Sequence, residues 1–301
     1  MSINLNTYYE KIKNSKAGYR LAVAAPYDGV IIRMLEEAYK EGIIKLWLVG
    51  EEEKIKTALS LSGLKEEDVN MIPSKTEDAA DIACKLINDG KCDILMKGSI
   101  HTDELLRGII RNKLMMPGRR ISHIYAIHRS DGSALFISDP SIAIKPSLEE
   151  KIHITDNTID FLKKLGIEKP RIAVVSSVEN VNPKMESTVD AKNLTECFKS
   201  RNDCFVYGPL GLDNAVSQAA ASLKKIENDV AGNADALIMP DLDSGNLLCK
   251  GLIYIAGLPA AGVLYGTSCP VVFTSRSASE DERMRTLYLA CLNYELSKNN
   301  A

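Results

Sequence analysis

The chain has 301 residues, of which 45 % are hydrophobic and 26 % are charged, and its formal net charge is −3. This composition is typical of a globular protein with a large core, and the length suits one large or two ordinary domains. The charge excludes the basic footprint of a nucleic-acid-binding protein. Because no run of about 18 apolar residues is present and residues 1–20 lack an apolar region, we expect neither a membrane span nor a signal peptide.

Seven cysteines are scattered along the chain without a CxxC pair. This spacing is typical neither of a disulfide framework nor of a zinc site. Because reduced thiols are the rule in the cytosol, we expect a cytoplasmic protein.

Short apolar runs alternate with amphipathic segments along nearly the whole chain. Strands are predicted at 21–25, 45–50, 92–98, 171–177, 204–210, 235–240 and 270–275, and clear helical patterns lie at 76–90 and 147–166. Apolar runs without alternation suit strands that are buried on both faces. The sequence therefore predicts an α/β fold whose largely parallel sheets are covered by helices.

Residues 121–139 interrupt this pattern with two apolar runs joined by the turn sequence RSDGS. An Asp-Gly turn between two such runs predicts a β-hairpin. A hairpin near mid-chain indicates a seam between two α/β units. We therefore expect a first domain over 1–140, completed by a C-terminal helix at 278–301, and a second domain over 141–277.

Polar and charged residues follow five of the predicted strands, where helices begin. These segments are 98–108, 177–191, 208–217, 241–251 and 274–282. In open parallel sheets, ligands bind beyond the carboxyl ends of the strands, and helix N-termini favour phosphate groups. Helix caps use the same residue types for local reasons, and Thr102 fits such a cap. Five segments together favour a cleft for a polyanionic ligand.

The usual nucleotide fingerprints are absent from the sequence. Neither GxGxxG after the first strand nor GxxxxGK[ST] anywhere is present, which argues against a Rossmann dehydrogenase and a P-loop kinase. Asp241 and Asp243 offer oxygen ligands for a hard cation, but two carboxylates are weak evidence and Asp243 fits a helix N-cap. No GxSxG elbow surrounds a serine, so covalent catalysis has no support.

Several long segments resemble those of one known family. These are VENVNPKMESTVDA (178–191), GPLGLDNAVS (208–217), residues 232–252 and VVFTSRS (271–277), with 95–107 and 121–127 in the N-terminal half. Their order and spacing are similar to those of the phosphate acetyltransferase and phosphate butyryltransferase family over most of the chain from about Leu21. The likeness is closer to the butyryltransferases.

The resemblance implies a reversible reaction in which acyl-CoA and phosphate give acyl phosphate and free CoA. The acyl group would be short, with butyryl favoured. It further implies no metal and no redox cofactor, with CoA as a substrate, and two α/β domains around a cleft as in isocitrate and isopropylmalate dehydrogenases. A homodimer and an acyl kinase as a functional partner are also implied.

The resemblance assigns roles to residues that carry positive charge. The arginine of the family's TSR segment matches Arg276, and that of its HTxxLLR segment matches Arg107. We expect these two to clamp the phosphate or the acyl phosphate, because arginine binds such groups with two parallel hydrogen bonds. Lys97 would add charge at the same strand end.

The resemblance also places an acid–base group a few residues after TSR. A carboxylate there would take the proton of the CoA thiol when acyl-CoA is formed. Counting from TSR as in the family gives Glu282. Asp281 is adjacent, and the resemblance does not decide which of the two is the base. Ser275 would donate a hydrogen bond to the sulfur or to the developing oxyanion.

The remaining candidates are expected to line the cleft and to contact CoA. They are Asn182, Lys184, Asn246, Lys250 and Thr102. Their assignment rests on the resemblance together with their positions at predicted helix starts.

Three other functions stay open at this stage. A phosphate acetyltransferase would use the same chemistry with a smaller acyl group, and one methylene changes selectivity by only about 1–3 kcal/mol. A metal- and NAD(P)-dependent hydroxy-acid dehydrogenase would use Asp241 and Asp243 as ligands. A non-catalytic CoA-ester-binding regulator would bind without turnover.

Overall fold

The computed structural model describes residues 3–298. Two compact units divide the chain: a central unit of residues 3–5 and 118–260, and a terminal unit of residues 6–117 and 261–298. None of the helices within residues 3–298 has the length and apolar character that a membrane crossing needs.

Strands and helices alternate along the chain. The first part has α1 (Leu5–Ser15), β1 (Tyr19–Ala24), α2 (Gly29–Lys40), β2 (Ile44–Gly50), α3 (Glu52–Leu59), β3 (Val69–Pro73), α4 (Ala79–Asn88), β4 (Ile94–Lys97) and α5 (Thr102–Arg111), with 3-10 turns at Glu66–Asp68 and Thr76–Asp78. The middle has β5 (Ser122–His128), β6 (Ala134–Ser138), α6 (Leu148–Lys164), β7 (Arg171–Val175), α7 (Glu186–Phe198), β8 (Phe205–Leu210), α8 (Leu212–Val216), α9 (Gln218–Leu223), β9 (Ala236–Ile238) and α10 (Leu242–Lys250), which continues as a π-helical turn over Gly251–Ile255. The last part has β10 (Ala260–Tyr265), β11 (Val271–Val272) and α11 (Glu280–Lys298).

The terminal unit contains strands in the order β3-β2-β1-β4-β11-β10. All neighbours are parallel except β10, which runs antiparallel to β11. The apolar runs of β1 and β4 are buried almost throughout, as expected for parallel strands with helices on both faces. Since β1, β4 and β11 are parallel neighbours, the segments that follow them start from the same edge.

The central unit contains strands in the order β5-β6-β9-β7-β8. β5 and β6 form the predicted antiparallel hairpin, and β6 then pairs in parallel with β9. β7 pairs in parallel with both β9 and β8. The α/β class with largely parallel strands is therefore confirmed, and so is the hairpin.

The borders of the two units lie at 117/118 and 260/261, not at the seam expected near residue 140. The reason is the pairing of β6 with β9, which ties the hairpin to the strands that follow it. The separate domains 1–140 and 141–277 stay a prediction. Of the predicted C-terminal helix 278–301, α11 covers 280–298, and the rest lies outside the described residues.

Each of the seven predicted strands has a counterpart, whereas β3 and β10 were missed. The residues of β3 are only partly buried and it lies at the end of the strand order, so its apolar pattern is weak. β11 is shorter than predicted because the chain leaves the sheet after Val272.

An aspartate–arginine pair joins the amino ends of β1 and β4. The carboxylate of Asp93 accepts hydrogen bonds from the backbone N–H and Nε of Arg20, both at 2.9 Å, and from Nη2 at 2.6 Å. Tyr294 of α11 donates its hydroxyl to the same carboxylate. Burial by itself would raise the pKa of Asp93, but the hydrogen bonds from Arg20 and Tyr294 outweigh it and lower the pKa to about 2.

Replacing Asp93 by asparagine should destabilise the protein at neutral pH by about 2 kcal/mol, because the depressed pKa measures a favourable interaction of the charged form. This stability is present above the ordinary pKa and is lost as the pH falls through the folded-state value. The difference in unfolding free energy between the native protein and Asp93→Asn should therefore shrink from pH 4 towards pH 2 in urea titrations. Asp89→Asn, at an exposed neighbour, serves as the control. A pH-independent difference would contradict the assignment.

Candidate active site

The carboxyl ends of β1, β4 and β11 open onto one cavity of the terminal unit, about 350 Å³ in volume. We call it the strand-end pocket. Its lining residues are Asp28, Ile31, Lys97, Gly98, Ser99, Thr274, Ser275, Arg276 and Arg283. Three of the nine are cationic and one is acidic. The lining is thus mainly cationic, and two of the five predicted strand-end segments, 98–108 and 274–282, contribute to it.

Gly98 allows the segment after β4 to approach the end of β1. A Cβ at this position would lie 2.4 Å from the carbonyl oxygen of Ala24 and 2.3 Å from that of Ala25. The backbone instead hydrogen-bonds there, from Gly98 N–H to Ala24 at 2.9 Å and from Ser99 N–H to Ala25 at 2.7 Å. Any side chain at residue 98 would push the wall of the pocket away from β1.

Lys97, the last residue of β4, carries a nearly buried ammonium group at 7 % exposure. Its Nζ donates to the carbonyl oxygen of Ile100 at 3.2 Å. Burial and the positive charges of Arg276 and Arg283 lower the pKa of Lys97. No carboxylate within residues 3–298 forms an ion pair with this lysine, so a bound anion would be its natural counter-ion.

Asp28 supplies the only acidic side chain of the lining, but its carboxylate is already engaged. Its Oδ1 accepts a hydrogen bond of 2.8 Å from Val30 N–H and caps α2. Because three cations line the pocket with this one carboxylate, the pocket is electropositive. This charge selects for phosphate-bearing or carboxylate ligands.

The predicted reacting segment after β11 forms a loop over residues 274–278. The side chains of Ser275 and Arg276 are exposed, whereas Thr274 is buried. Ser275 Oγ lies 3.0 Å from Ser277 Oγ. The structure thus brings Ser275, Arg276 and Lys97 together at one pocket, and their roles stay a prediction.

Arg283 is a pocket residue that sequence reasoning missed. It lies one turn into α11 and is only 3 % exposed. Its side chain donates to the carbonyl oxygens of Arg276 at 2.9 Å and Ala278 at 3.1 Å and to Thr274 Oγ1 at 3.3 Å. In the sequence it follows three acidic residues, which is the pattern of a solvated helix start, so no local signal marks it.

The two candidate bases occupy different environments on α11. Asp281 is exposed and pairs with Arg285 at 2.7 Å, and both line a separate cavity with Tyr9 and Tyr288. Glu282 is 6 % exposed, and its backbone N–H is accepted by Ser279 Oγ at 3.1 Å. Neither carboxylate belongs to the lining of the strand-end pocket, so the identity of the base stays a prediction.

Arg107 lies apart from the lining of the pocket. Its guanidinium group is 69 % exposed and pairs with Asp103 at 2.7 Å along the surface of α5. The cap predicted at Thr102 is wrong, because His101 is the N-cap of α5 and Thr102 is its first helical residue. Glu104 accepts the N–H of His101 at 2.6 Å, which satisfies the helix start without a threonine hydroxyl.

Asn182 and Lys184 lie in an exposed turn of the central unit before α7. The side-chain oxygen of Asn182 accepts the backbone N–H of Lys184 at 3.0 Å, while Thr188 Oγ1 accepts the N–H of Asn182 at 2.8 Å. Asn182 therefore shapes this turn, and the ammonium group of Lys184 is left at the surface.

Asn246 and Lys250 lie on α10 of the central unit. Asn246 is half-buried and donates to the carbonyl oxygen of Pro140 at 3.1 Å, whereas Lys250 is exposed at the end of the helix. Asp241 caps α10 by accepting Ser244 N–H at 2.8 Å, so the cap predicted at Asp243 is wrong. Within residues 3–298 no group of three or more metal-ligating side chains surrounds these aspartates.

One residue of segment 178–191, which contributes to the family resemblance, forms a buried ion pair. Lys151 of α6 is buried and pairs with Asp190 of α7 at 2.6 Å. Both helices therefore meet through an ion pair that the sequence pattern did not reveal. Asp190 thus has a structural role in the central unit.

Comparison with known proteins supports the same family. Residues 50–291 match the family model described as "Phosphate acetyl/butaryl transferase". The phosphate butyryltransferase of Clostridium acetobutylicum is 35 % identical over 295 residues, covering 96 % of this chain and 97 % of that protein. The phosphate acetyltransferase of Thermotoga maritima is 34 % identical over 279 residues, covering 91 % and 95 %.

Solved structures agree with these relatives. A branched-chain phosphotransacylase from Enterococcus faecalis V583 matches with a TM-score of 0.83 at 30 % identity, over 92 % of this chain and 99 % of that one. A phosphotransacetylase from Streptococcus pyogenes has a TM-score of 0.80 at 21 % identity, over 97 % and 99 %, and shows the same fold. The family predicted from the strand-end segments is confirmed: the chain belongs to the phosphate acetyltransferase and phosphate butyryltransferase family.

Proposed function

We propose that this phosphate acyltransferase moves a short acyl group, with butyryl favoured, between CoA and inorganic phosphate, and that the phosphate binds in the strand-end pocket. The observation that carries the proposal is the charge of that pocket. Lys97, Arg276 and Arg283 surround it, and none of the three has an ion pair within residues 3–298. A dianion is the ligand that such a site stabilises best.

The dimensions of the pocket support a small anion. A cavity of about 350 Å³ lies at the lower end of the ~300–1,000 Å³ range of ligand sites, too small for the whole of CoA. It suits inorganic phosphate or the acyl phosphate. The exposed guanidinium group of Arg276 is free to turn towards two phosphate oxygens, which a lysine would bind only as a point charge.

The reaction needs a nucleophile and a stabilised leaving group. A phosphate oxygen attacks the thioester carbonyl, the new C–O bond forms, and the C–S bond breaks to release CoA thiolate. Ser275, exposed at the rim of the pocket, is proposed to donate a hydrogen bond to the developing oxyanion or to the sulfur. The cations of the pocket hold the nucleophile in place, which reduces the entropy cost of the encounter.

In the reverse direction the CoA thiol, with an ordinary pKa of about 8.5, must lose its proton. We propose Glu282 as the base. Its support is the spacing after TSR in the family resemblance, which falls on Glu282. Glu282 is buried beside Arg283, the residue that contacts the 274–278 loop.

The other cleft residues remain proposals for CoA. Lys184 and Lys250 present exposed ammonium groups that suit the phosphates of CoA, and Asn182, Asn246 and Thr102 are proposed as neighbouring contacts. Arg107 is exposed and paired with Asp103, so phosphate recognition by Lys97 and Arg276 has support from the pocket, whereas the proposed clamp at Arg107 rests on the family resemblance alone.

The cellular location, the oligomeric state, the cofactor requirement and the functional partner are proposed from the family alone. We propose a cytoplasmic homodimer that uses CoA as a substrate without a metal or redox cofactor, and an acyl kinase that consumes the acyl phosphate. The likeness to isocitrate and isopropylmalate dehydrogenases, with two domains around a cleft, belongs to the same proposal. A 4-hydroxythreonine-4-phosphate dehydrogenase from Klebsiella pneumoniae, at a TM-score of 0.57 and 12 % identity, shares the fold only.

Purified protein should consume butyryl-CoA in a phosphate-dependent manner, and acetyl-CoA more slowly. Thioester loss would be followed by absorbance, and acyl phosphate would be trapped as its hydroxamate, because the seven protein thiols would interfere with a thiol dye. The ratio of the two rates tests the acyl preference. Binding of acyl-CoA without any turnover by the folded protein would instead indicate a regulator and would sink the proposal.

Arg276→Ala should lower kcat by roughly 100-fold or more, as for other charge stabilisers that are fixed in place. Arg276→Lys should recover little of this, since the ammonium group cannot form two parallel hydrogen bonds. Arg111→Ala removes an exposed guanidinium group that pairs with Asp81 on α5 and serves as the control. Near-native turnover by both Arg276 variants, with intact circular dichroism, would refute the role of this arginine.

The pH profile should report the charge of Lys97. Since burial and the two arginines lower its pKa, Lys97 loses its proton at a lower pH than an exposed lysine. The value of kcat/KM for phosphate, measured in the direction that consumes acyl-CoA, should therefore fall on the basic side below the usual lysine range. Lys97→Met should lower kcat/KM and abolish this basic limb. If the fall of kcat/KM on the basic side is unchanged in Lys97→Met, the titrating group is not Lys97.

A further inference from the structure

The guanidinium group of Arg283 is buried against a single loop. Its Nε donates to Ala278, Nη1 to Thr274 and Nη2 to Arg276, at distances from 2.9 to 3.3 Å. All three nitrogens thus contact residues 274–278. The bonds to residues 276 and 278 go to backbone carbonyl oxygens, so they hold the main chain of the loop.

The loop also has hydrogen bonds of its own. The N–H of Ala278 donates to the carbonyl oxygen of Ser275 at 3.2 Å, and Ser275 and Ser277 contact each other through their hydroxyls. Both the Ser275 and the Arg276 side chains are exposed, so packing does not fix them. The three bonds from Arg283 therefore contribute directly to the position of their backbone.

A buried guanidinium group normally pairs with a carboxylate. No ion pair of residues 3–298 includes Arg283, which lines the pocket together with Lys97. Its charge is instead shared among three uncharged oxygen atoms of one loop. A purely structural arginine with this burial would be expected to carry an acidic partner.

We propose that Arg283 is a positioning residue, which fixes the 274–278 loop so that Ser275 and Arg276 face the bound phosphate. It acts on the phosphate through Arg276. This inference rests on the proposed function. Lysine cannot replace Arg283, because one ammonium group on a shorter stem cannot reach three oxygen atoms that are spread over five residues.

A double-mutant cycle tests the proposal. Arg283→Lys should lower kcat/KM for phosphate at least about 10-fold in the native chain, but less than about 3-fold in the Arg276→Ala background. Positioning predicts this loss of additivity, since Arg276 is gone and only Ser275 is left to position. General destabilisation predicts that Arg283→Lys lowers kcat/KM by the same factor in both backgrounds. The free-energy effects of independent sites add, to within about 2-fold in kcat/KM.

Arg285→Lys is the matched control, with the same substitution on the same helix. Arg285 pairs with Asp281 on the other side of α11, away from the loop, so its effect should be less than about 2-fold and additive. Equal factors for Arg283→Lys in the two backgrounds, or native kcat/KM in Arg283→Lys, would overturn the proposal.

If Arg283→Lys does not fold, Thr274→Val carries the same test. It keeps the shape of a buried side chain and removes one of the three acceptors. A fall in kcat/KM of about 3-fold or more that largely disappears in the Arg276→Ala background supports positioning. An additive or absent effect in this variant counts against it.

Phosphate binding separates this inference from the proposed function. The dissociation constant of inorganic phosphate, measured by calorimetry, is compared among the native protein, the two single variants and the double variant. If the native chain transfers no acyl group but binds phosphate, the function fails, and non-additive binding still supports the positioning role. If the native chain binds no phosphate at millimolar concentration, both proposals fall.

Discussion

The parallel pairing of β4 with β1 on one side and β11 on the other is the constraint on which the candidate site depends. It places the ends of three strands at one edge, although the segments that follow them are far apart in sequence. Gly98 makes this convergence close, since any Cβ there would collide with the backbone after β1. The pocket is thus a consequence of strand order and of one missing side chain.

Stabilising ion pairs and the candidate site lie at opposite ends of these strands. At the amino ends, Asp93 holds Arg20 in the terminal unit, and Asp235 holds Arg171 in the central unit, in each case between neighbouring parallel strands. Each of these two arginines is paired with a carboxylate. At the carboxyl ends, the cations that line the strand-end pocket have no ion pair within residues 3–298. The same residue type therefore stabilises the fold at one end and creates a demand for an anionic ligand at the other.

Without a bound anion, the clustered cations of the pocket are electrostatically unfavourable. A nearly buried ammonium group beside two guanidinium groups is disfavoured by desolvation and by like-charge repulsion, and the lowered pKa of Lys97 expresses both effects. In the proposed function, a phosphate dianion would relieve both effects together, and the binding energy would hold the nucleophile during acyl transfer.

The sequence by itself determined the α/β alternation and the hairpin, because apolar periodicity and turn residues are local signals, and its long strand-end segments identified the family. The strand order that brings Lys97, Ser275 and Arg276 to one pocket is a tertiary feature. Only the tertiary structure decided that Arg107 faces solvent beside Asp103, that His101 and Asp241 cap their helices, and that Asp281 and Glu282 differ in burial. Arg283 shows the physical reason. The sequence around an arginine is similar whether its side chain is solvated or buried. Only the packing of α11 against the loop after β11 shows that this side chain is buried.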